Sequence, residues 1–471
     1  MYAASEPRKP PIMPENPPGI AAASRATSYP PGPSYRSRLR NPGLLRLSTH
    51  AFLQDNARKY GDIVHFSAFS RHVFQFNHPD MVPEVLIRDA SFHHRGIVMQ
   101  RARFALGEGL LTSEEPLHLR QRRLVQPAFH RDRIAAYGAT MLEFAQSMTA
   151  EWPRHSVLDL HQQMLQLTLR IAGKCFFDTD VKADVQTISD AVTAFMGFMP
   201  LAFLPFPDLI LRLPVGFIRR IRTAQRKLDD RMYGLITERR RSGRDHGDLL
   251  SMLLASVDQE EGTGSMTDRQ VRDECLTLLL AGHETTANGL SFCGFLLAQH
   301  PEVQERVRAE ADAALAEPGS SAAIYERLPY TRRVAAEALR IFPPVWVTAR
   351  TCAKAYEYRG MKIPAGSLLL TPQFVMHRDP RFYPDPLRFD PDRFLPENAA
   401  ARPRYAYFPF GAGSRMCIGE GFAWMEMVLV LAAIVREWRL APAPGSPSEL
   451  ALSAQISLRA RDGVALEITR R

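Results

Sequence analysis

The chain lacks a long apolar run. Nowhere in its 471 residues do eighteen or more apolar residues follow one another, and the nearest approach, Ala191 to Leu213, is broken by Pro200, Pro205, Pro207 and Asp208. A membrane-spanning helix is therefore not expected. Cysteine is scarce as well: Cys175, Cys275, Cys293, Cys352 and Cys417 are odd in number, form no C-x-x-C pair and follow no signal peptide. That excludes a disulfide scaffold and a zinc or iron–sulfur protein. Most of the five sit among apolar neighbours and read as buried reduced thiols, but Cys417 does not. Basic runs are missing too. Although 59 Lys+Arg against 50 Asp+Glu give a net charge of +9, the densest cluster is only Arg120, Arg122 and Arg123, so nucleic acid is not an expected partner.

What is present is an ordinary globular composition, 45% hydrophobic and 23% charged, enough to bury a large core. The first 33 residues hold nine prolines and few large apolar side chains. Residues 1–38 therefore read as a disordered proline-rich tail and 39–471 as one domain. Between Phe195 and Phe206 the chain is too apolar for a typical surface loop. It fits a buried helix end, a lid over an apolar pocket or a shallow membrane contact.

Hydrophobic spacing predicts a helix over Leu44–Tyr60 stopped by Gly61, then short strands at Ile63–Phe66 and His72–Phe76. From Pro79 to Leu339 the spacing of three and four predicts consecutive helices. The longest, Asp268–Gln299, is capped by Thr267 or Asp268 and almost free of charge between Cys275 and His283. Beyond Arg340 come short strands (Met361–Ile363, Ser367–Thr371) and a final helix over Gly419–Trp438. The expected class is mainly α with a small β portion.

The stretch Phe410-Gly411-Ala412-Gly413-Ser414-Arg415-Met416-Cys417-Ile418-Gly419 places a cysteine in a glycine-rich loop, beside an arginine, at the start of a helix. Helix N-terminal amides and a nearby cation favour thiolate, and glycines let backbone approach a flat ligand. A second feature is Ala281-Gly282-His283-Glu284-Thr285-Thr286 in the long apolar helix, where an acid is costly unless it has a task. A third, Glu337-Ala338-Leu339-Arg340 before Pro343-Pro344, puts a carboxylate and a guanidinium on one helical face. Such pairs are usually solvated surface ion pairs when they stand alone.

Together these stretches resemble the cytochrome P450 superfamily, whose haem-binding signature F-x-x-G-x-R-x-C-x-G is matched at Phe410, Gly413, Arg415, Cys417 and Gly419. The resemblance runs from about residue 40 to the end, with the motifs in order. It implies the P450 fold, a single haem domain with haem b, and Cys417 as the thiolate ligand of iron. Arg415 would pair with a haem propionate, and Phe410 would flank the sulfur, with Gly411 and Gly419 beside the cofactor. It implies a helix crossing the distal haem face at Ala281, with Thr285 donating a hydrogen bond to bound oxygen and Glu284 relaying protons. His283 reads as a packed side chain rather than a ligand. Glu337, Arg340 and Arg393, the last from Pro391-Asp392-Arg393-Phe394, would form a buried structural network. Further propionate partners would be His118 and Arg122, one helical turn apart and able to grip one carboxylate, together with Arg350 and His377.

The implied reaction is monooxygenation of a hydrophobic molecule such as a terpenoid, steroid or fatty acid, using O2 and NAD(P)H-derived electrons. Ile97, Val98, Phe104, Phe198, Leu279, Val345, Trp346, Val347 and Ile456 would line the substrate pocket, with Arg101 or Arg103 the cation in reach. No anchor helix precedes Pro30-Pro31-Gly32-Pro33, so a soluble, cytoplasmic, bacterial-type monomer is expected. Electrons would come from a separate ferredoxin and ferredoxin reductase, docking on a basic patch of Arg120, Arg123, Arg131, Arg133, Arg402 and Arg404. A peroxide-driven peroxygenase, a haem-thiolate isomerase and a haem sensor are the alternatives. The first two are disfavoured because Glu284 and Thr285 are retained.

Overall fold

A computed structural model describes residues 29–34, 49–68, 71–88, 92–179, 216–258 and 264–471. The expected lid, with Phe198, and most of the expected tail lie outside these residues. Residues 29–34 depart from the tail reading. Tyr29 stacks on His65 at 4.3 Å between ring centres, and the Pro31 carbonyl accepts from the His65 amide. An aromatic ring with a ring to stack on gives this part of the proline-rich segment a reason to dock.

Helix α1 (Thr49–Tyr60) ends where Gly61 takes a φ of +88° and returns its amide to the Ala57 carbonyl. Strands β1 (Ile63–Ala68) and β2 (Arg71–Phe76) follow as an antiparallel hairpin, then β3 (His93–Arg95). The helices are α2 (Ile97–Leu106), α3 (Leu117–Val125), α4 (Arg131–Ala150), α5 (Leu160–Phe177), α6 (Gly216–Ser242), α7 (Asp268–Gln299), α8 (Pro301–Ala316) and α9 (Pro329–Ile341). Next come β4 (Thr348–Cys352) and β5 (Leu368–Thr371), helix α10 (Glu420–Glu437), and a hairpin of β6 (Leu452–Ala454) and β7 (Leu458–Ala460). The main sheet runs β1-β2-β5-β4-β3.

Helix α7 shows why these elements form. Thr267 accepts from the Gln270 amide while the Gln270 side chain returns to the Thr267 amide, a full capping box that satisfies donors the helix cannot. Beyond the first turn the helix is buried on nearly every side, because α5 and α9 pack against it. Helix α10 is likewise buried from Met425 to Val435, between α4 and α8. Each fully buried Leu, Val or Ile there contributes about 1.5–3 kcal/mol relative to exposure. These two helices form the floor and the spine of the core. Proline sets other boundaries: α8 and α9 begin on Pro301 and Pro329, and α9 stops short of Pro343-Pro344. Among the described residues no helix is long and apolar enough to cross a membrane.

Candidate active site

A cavity of about 1200 Å³ lies between α7, α2, the sheet and the loop before α10. The cysteine loop forms one wall. Gly411 and Gly413 hold φ of +77° and +74°, and a Cβ on Gly413 would stand 2.2 Å from the Leu86 carbonyl oxygen, so only glycine fits that turn. The loop closes on itself: the Cys417 amide donates to the Phe410 carbonyl at 2.9 Å, and Arg122 Nη1 to the Met416 carbonyl at 2.8 Å. Cys417 Sγ is exposed, but into the cavity rather than to bulk water. Burial pushes its thiol up to about 11, against the Gly419 amide and the Arg122 cation, which favour thiolate. A cation bound at the sulfur would reverse that balance.

One end of the cavity is strongly cationic. Arg95, Arg350 and Arg415 gather there with His118, facing Glu114 and Glu115. Arg415 donates to Glu114 Oε2 at 2.9 Å and to the Ser113 carbonyl. His118 Nδ1 meets Glu115 Oε1 at 2.9 Å. Burial and mutual repulsion press the group down, Arg350 to about 10 and His118 to about 4, with Arg95 also held well below its usual value. Arg95 Nε and His118 Nε2 are buried without a partner. Three arginines against two carboxylates, with orphaned donors, is a costly arrangement unless anionic groups complete it. Two carboxylates on one ligand would do so.

Among the described residues no group of three His, Cys, Asp or Glu side chains is placed to hold a bare metal ion. Cys417 offers one ligand, so iron at its sulfur needs the remaining ligands from a bound group. A planar tetrapyrrole carrying two propionates fits the single soft ligand, the glycine wall and the orphaned cations together.

Helix α7 supplies the next wall. Ala281 and Gly282 open a gap in an otherwise buried helix, and Leu278, Leu280, Glu284 and Thr285 line the cavity beside them. Thr285 Oγ1 donates to the Ala281 carbonyl at 2.7 Å. Its lone pairs stay available as acceptors. Glu284 is buried and accepts from Ser457 Oγ at 2.7 Å. Burial raises its pKa, opposed by Ser457, Arg459 and Asn288. His283 points away from the cavity, its Nε2 against the Leu165 carbonyl, and burial lowers it to about 4.

Glu337 and Arg340 are fully buried and paired on both carboxylate oxygens, Nε to Oε2 at 2.6 Å and Nη2 to Oε1 at 2.7 Å. Arg393 Nε lies 3.4 Å from Glu337 Oε1, and the Asp390 amide donates to the same oxygen. Arg340 Nη1 reaches the carbonyls of His377 and Pro386, which ties α9 to the chain leading into the cysteine loop.

His118, Arg122, Arg350, Phe410, Gly411, Arg415, Cys417, Gly419, Ala281, Glu284, Thr285, Ile97, Val98, Val345, Trp346, Val347 and Ile456 all border the one cavity. Three expected residues do not. His377 is fully buried in the Glu337–Arg340 region, where its Nε2 accepts from the Phe408 amide at 3.0 Å and burial drives it to about 3. Fully buried and outside the cavity, it has no place from which to hold a propionate. Leu279 faces the core, because the helical turn that brings Leu278 and Leu280 to the cavity carries it away. Phe104 is turned outward and 37% exposed. The expected grip of His118 and Arg122 on one carboxylate also separates: His118 joins the cationic end, while Arg122 serves the loop beside Cys417. Of the two candidate pocket cations, Arg101 lines the cavity and Arg103 instead donates to the Thr112 carbonyl.

Two residues went unread in the sequence. Arg95 stands in a three-residue strand, too short for its alternation to register, and only pairing with β4 brings it beside Arg350. Ser457 sits between two three-residue strands whose only signal is the glutamate it meets 173 residues away.

The family model for Cytochrome P450 matches residues 30–465. Cyclooctatin synthase of Streptomyces melanosporofaciens is 39% identical over 420 residues, 86% of this chain and 90% of its own. Cyclooctat-9-en-7-ol 5-monooxygenase of the same organism is 38% identical, covering 82% and 84%. The crystal structure of the cytochrome P450DA heme domain superposes with a TM-score of 0.83 at 26% identity, covering 94% of this chain and 97% of that one. With the cysteine loop, the gap in α7 and the buried Glu337–Arg340 pair in place, the chain belongs to the cytochrome P450 family of haem-thiolate monooxygenases.

Proposed function

We propose that the enzyme oxygenates a terpenoid, with haem b held by Cys417 through its sulfur and by Arg95, Arg350, Arg415 and His118 through its propionates. The carrying observation is the cavity itself, which joins one soft ligand and one cationic end to a predominantly apolar wall. Bound haem with a thiolate ligand supplies reductive cleavage of O2 and insertion of one oxygen atom into an unactivated C–H bond. Ile97, Val98, Val345, Trp346, Val347 and Ile456 present the apolar surface on which a hydrocarbon skeleton orients by shape. Trp346 is fixed for that task, its Nε1 donating to the Gln455 carbonyl at 2.9 Å. Thr285 accepts and passes on hydrogen bonds at the gap beside Gly282, and Glu284 brings protons to it. The relatives named for cyclooctatin and cyclooctat-9-en-7-ol support the terpenoid assignment.

Electrons derived from NAD(P)H arrive through a separate ferredoxin and its reductase. Exposed Leu119 and Met416 sit beside Arg120, Arg122 and Arg123, a basic surface with an apolar centre that suits an acidic partner. Arg402 is not part of it, since its guanidinium stacks on Tyr383 and Phe394 and donates to the Arg393 carbonyl. Four buried thiols, Cys175, Cys275, Cys293 and Cys352, suit a reducing cytoplasm. The test is a spin-state titration of the ferric protein with terpene hydrocarbons and alcohols, set against steroids and fatty acids. A low-to-high-spin shift confined to terpenoids is expected. A shift with fatty acids alone, or with none of these, overturns the assignment.

A further inference from the structure

The hairpin β6–β7, which offers Ile456 to the substrate, has its tip tied into the cavity at three points. The Trp346 indole donates to the Gln455 carbonyl, the Leu458 amide donates to the Pro344 carbonyl at 2.8 Å, and Ser457 Oγ donates to Glu284 Oε1 at 2.7 Å. Asn288 Nδ2, one helical turn beyond Glu284, lies 3.3 Å from Ser457 Oγ. An amide N–H can only donate, so the serine oxygen accepts from Asn288 and its own proton goes to the glutamate. The hydroxyl is therefore oriented. Ile456 and Ser457 both border the cavity, and Ser457 is buried.

We propose that Ser457 is a positioning residue for Glu284, so that the same hairpin tip that touches substrate through Ile456 also fixes the acid of the proton path. This rests on the proton-relay role of Glu284 given above. The charged and polar groups facing the carboxyl are few: Ser457 and Arg459 from the hairpin and Asn288 from its own helix. Arg459 is also felt by His161 on α5, whose Nδ1 pairs with Ser291 Oγ at 3.2 Å, so the hairpin packs Arg459 along this face of α7. Arg459 acts on Glu284 through its charge and Asn288 adds a hydrogen bond from the same helix, while the Ser457 hydroxyl at 2.7 Å is the contact that the hairpin supplies to Oε1. Losing it frees the carboxyl to turn and removes a donor that favours its charged form.

The experiment uses the haem-loaded enzyme with a turned-over substrate and a surrogate ferredoxin pair. Ser457→Ala, Ser457→Thr, Glu284→Gln and the Ser457→Ala/Glu284→Gln double variant are compared for product formed per NAD(P)H at each pH. Each is also examined for the infrared band of the protonated Glu284 carboxyl, identified by its loss in Glu284→Gln. Ser457→Ala should move the pH midpoint of coupling and of the carboxyl band upward by on the order of one unit. Ser457→Thr, which keeps the hydroxyl, should restore both. Once Glu284 is glutamine, Ser457→Ala should add nothing. The proposal falls if Glu284→Gln uncouples turnover while Ser457→Ala leaves midpoint and band in place, or if the double variant is additive. If Glu284→Gln leaves coupling unchanged, the relay reading of Glu284 fails and this one fails with it.

Discussion

Glu337 and Glu284 are both buried glutamates on helices that pack against each other, and they are held in opposite ways. Glu337 receives a bidentate guanidinium, a second arginine and a backbone amide, so both of its oxygens are occupied by charge or backbone. Glu284 accepts from the neutral Ser457 hydroxyl on one oxygen, has Asn288 as a further neutral partner and is among the residues that line the cavity. The difference teaches what burial alone does not reveal. Burial raises both carboxyls, but at Glu337 two guanidinium groups in contact oppose it in favour of the ion, whereas at Glu284 the hydrogen bonds that oppose it come from neutral side chains. The first ties α9 to the chain that leads into the cysteine loop, and the second suits the proton relay proposed above.

The comparison can be broken most completely at the loop that Glu337 supports. Cys417→Ala should abolish the thiolate-type reduced-CO spectrum, and its survival would assign the iron to another ligand. Next in size is Glu337→Gln, which leaves the fully buried Arg340 and the partly buried Arg393 without their counter-ion and should cost about 3–5 kcal/mol. A denaturant midpoint close to that of the unmodified protein would show that the network is dispensable. On the other helix the outcome should be the reverse, stability retained and chemistry lost. Thr285→Ala should fold normally and bind substrate, but lower coupled product formation on the order of 10²-fold and divert electrons to peroxide. Equal product per NAD(P)H would take Thr285 out of the proton path.

The smallest effect is a matter of pH. His377 beside Glu337 and His283 beside Glu284 are held neutral, with pKa values depressed from 6.5 to about 3 and about 4. The unfolded chain takes up these protons first, so the stability they contribute is complete above about pH 6.5 and is lost as pH falls toward 3. Denaturant midpoints measured across that window should decline. His377→Gln should shallow the decline; an unchanged slope would mean that His377 is not held neutral in the fold.

Much of this was legible without coordinates, for identifiable reasons. The capping box at Thr267 and the apolar length of α7 were readable because helix formation is decided between residues three and four apart. The cysteine loop was readable because only glycine fits at 413. The Glu337–Arg340 pair was visible as a helical spacing, but its complete burial was not, since that depends on chain arriving from Pro386 and Asp390. His377 was misread for the same reason: its stretch suggests a propionate partner, and only packing shows it buried away from the cavity with its Nε2 already taken by the Phe408 amide.

Family membership and the mainly helical architecture follow from the sequence, which also singles out Cys417, Glu284 and Thr285 as candidates. Each is carried by residues that are close in the chain or by one strict local motif. The tertiary structure alone decided that Arg95 joins Arg350, that Leu278 and Leu280 rather than Leu279 face the cavity, and that Ser457 meets Glu284 across 173 residues. Those contacts follow from how sheet, helix and hairpin pack, and packing is a property of the whole core rather than of any stretch that contributes to it.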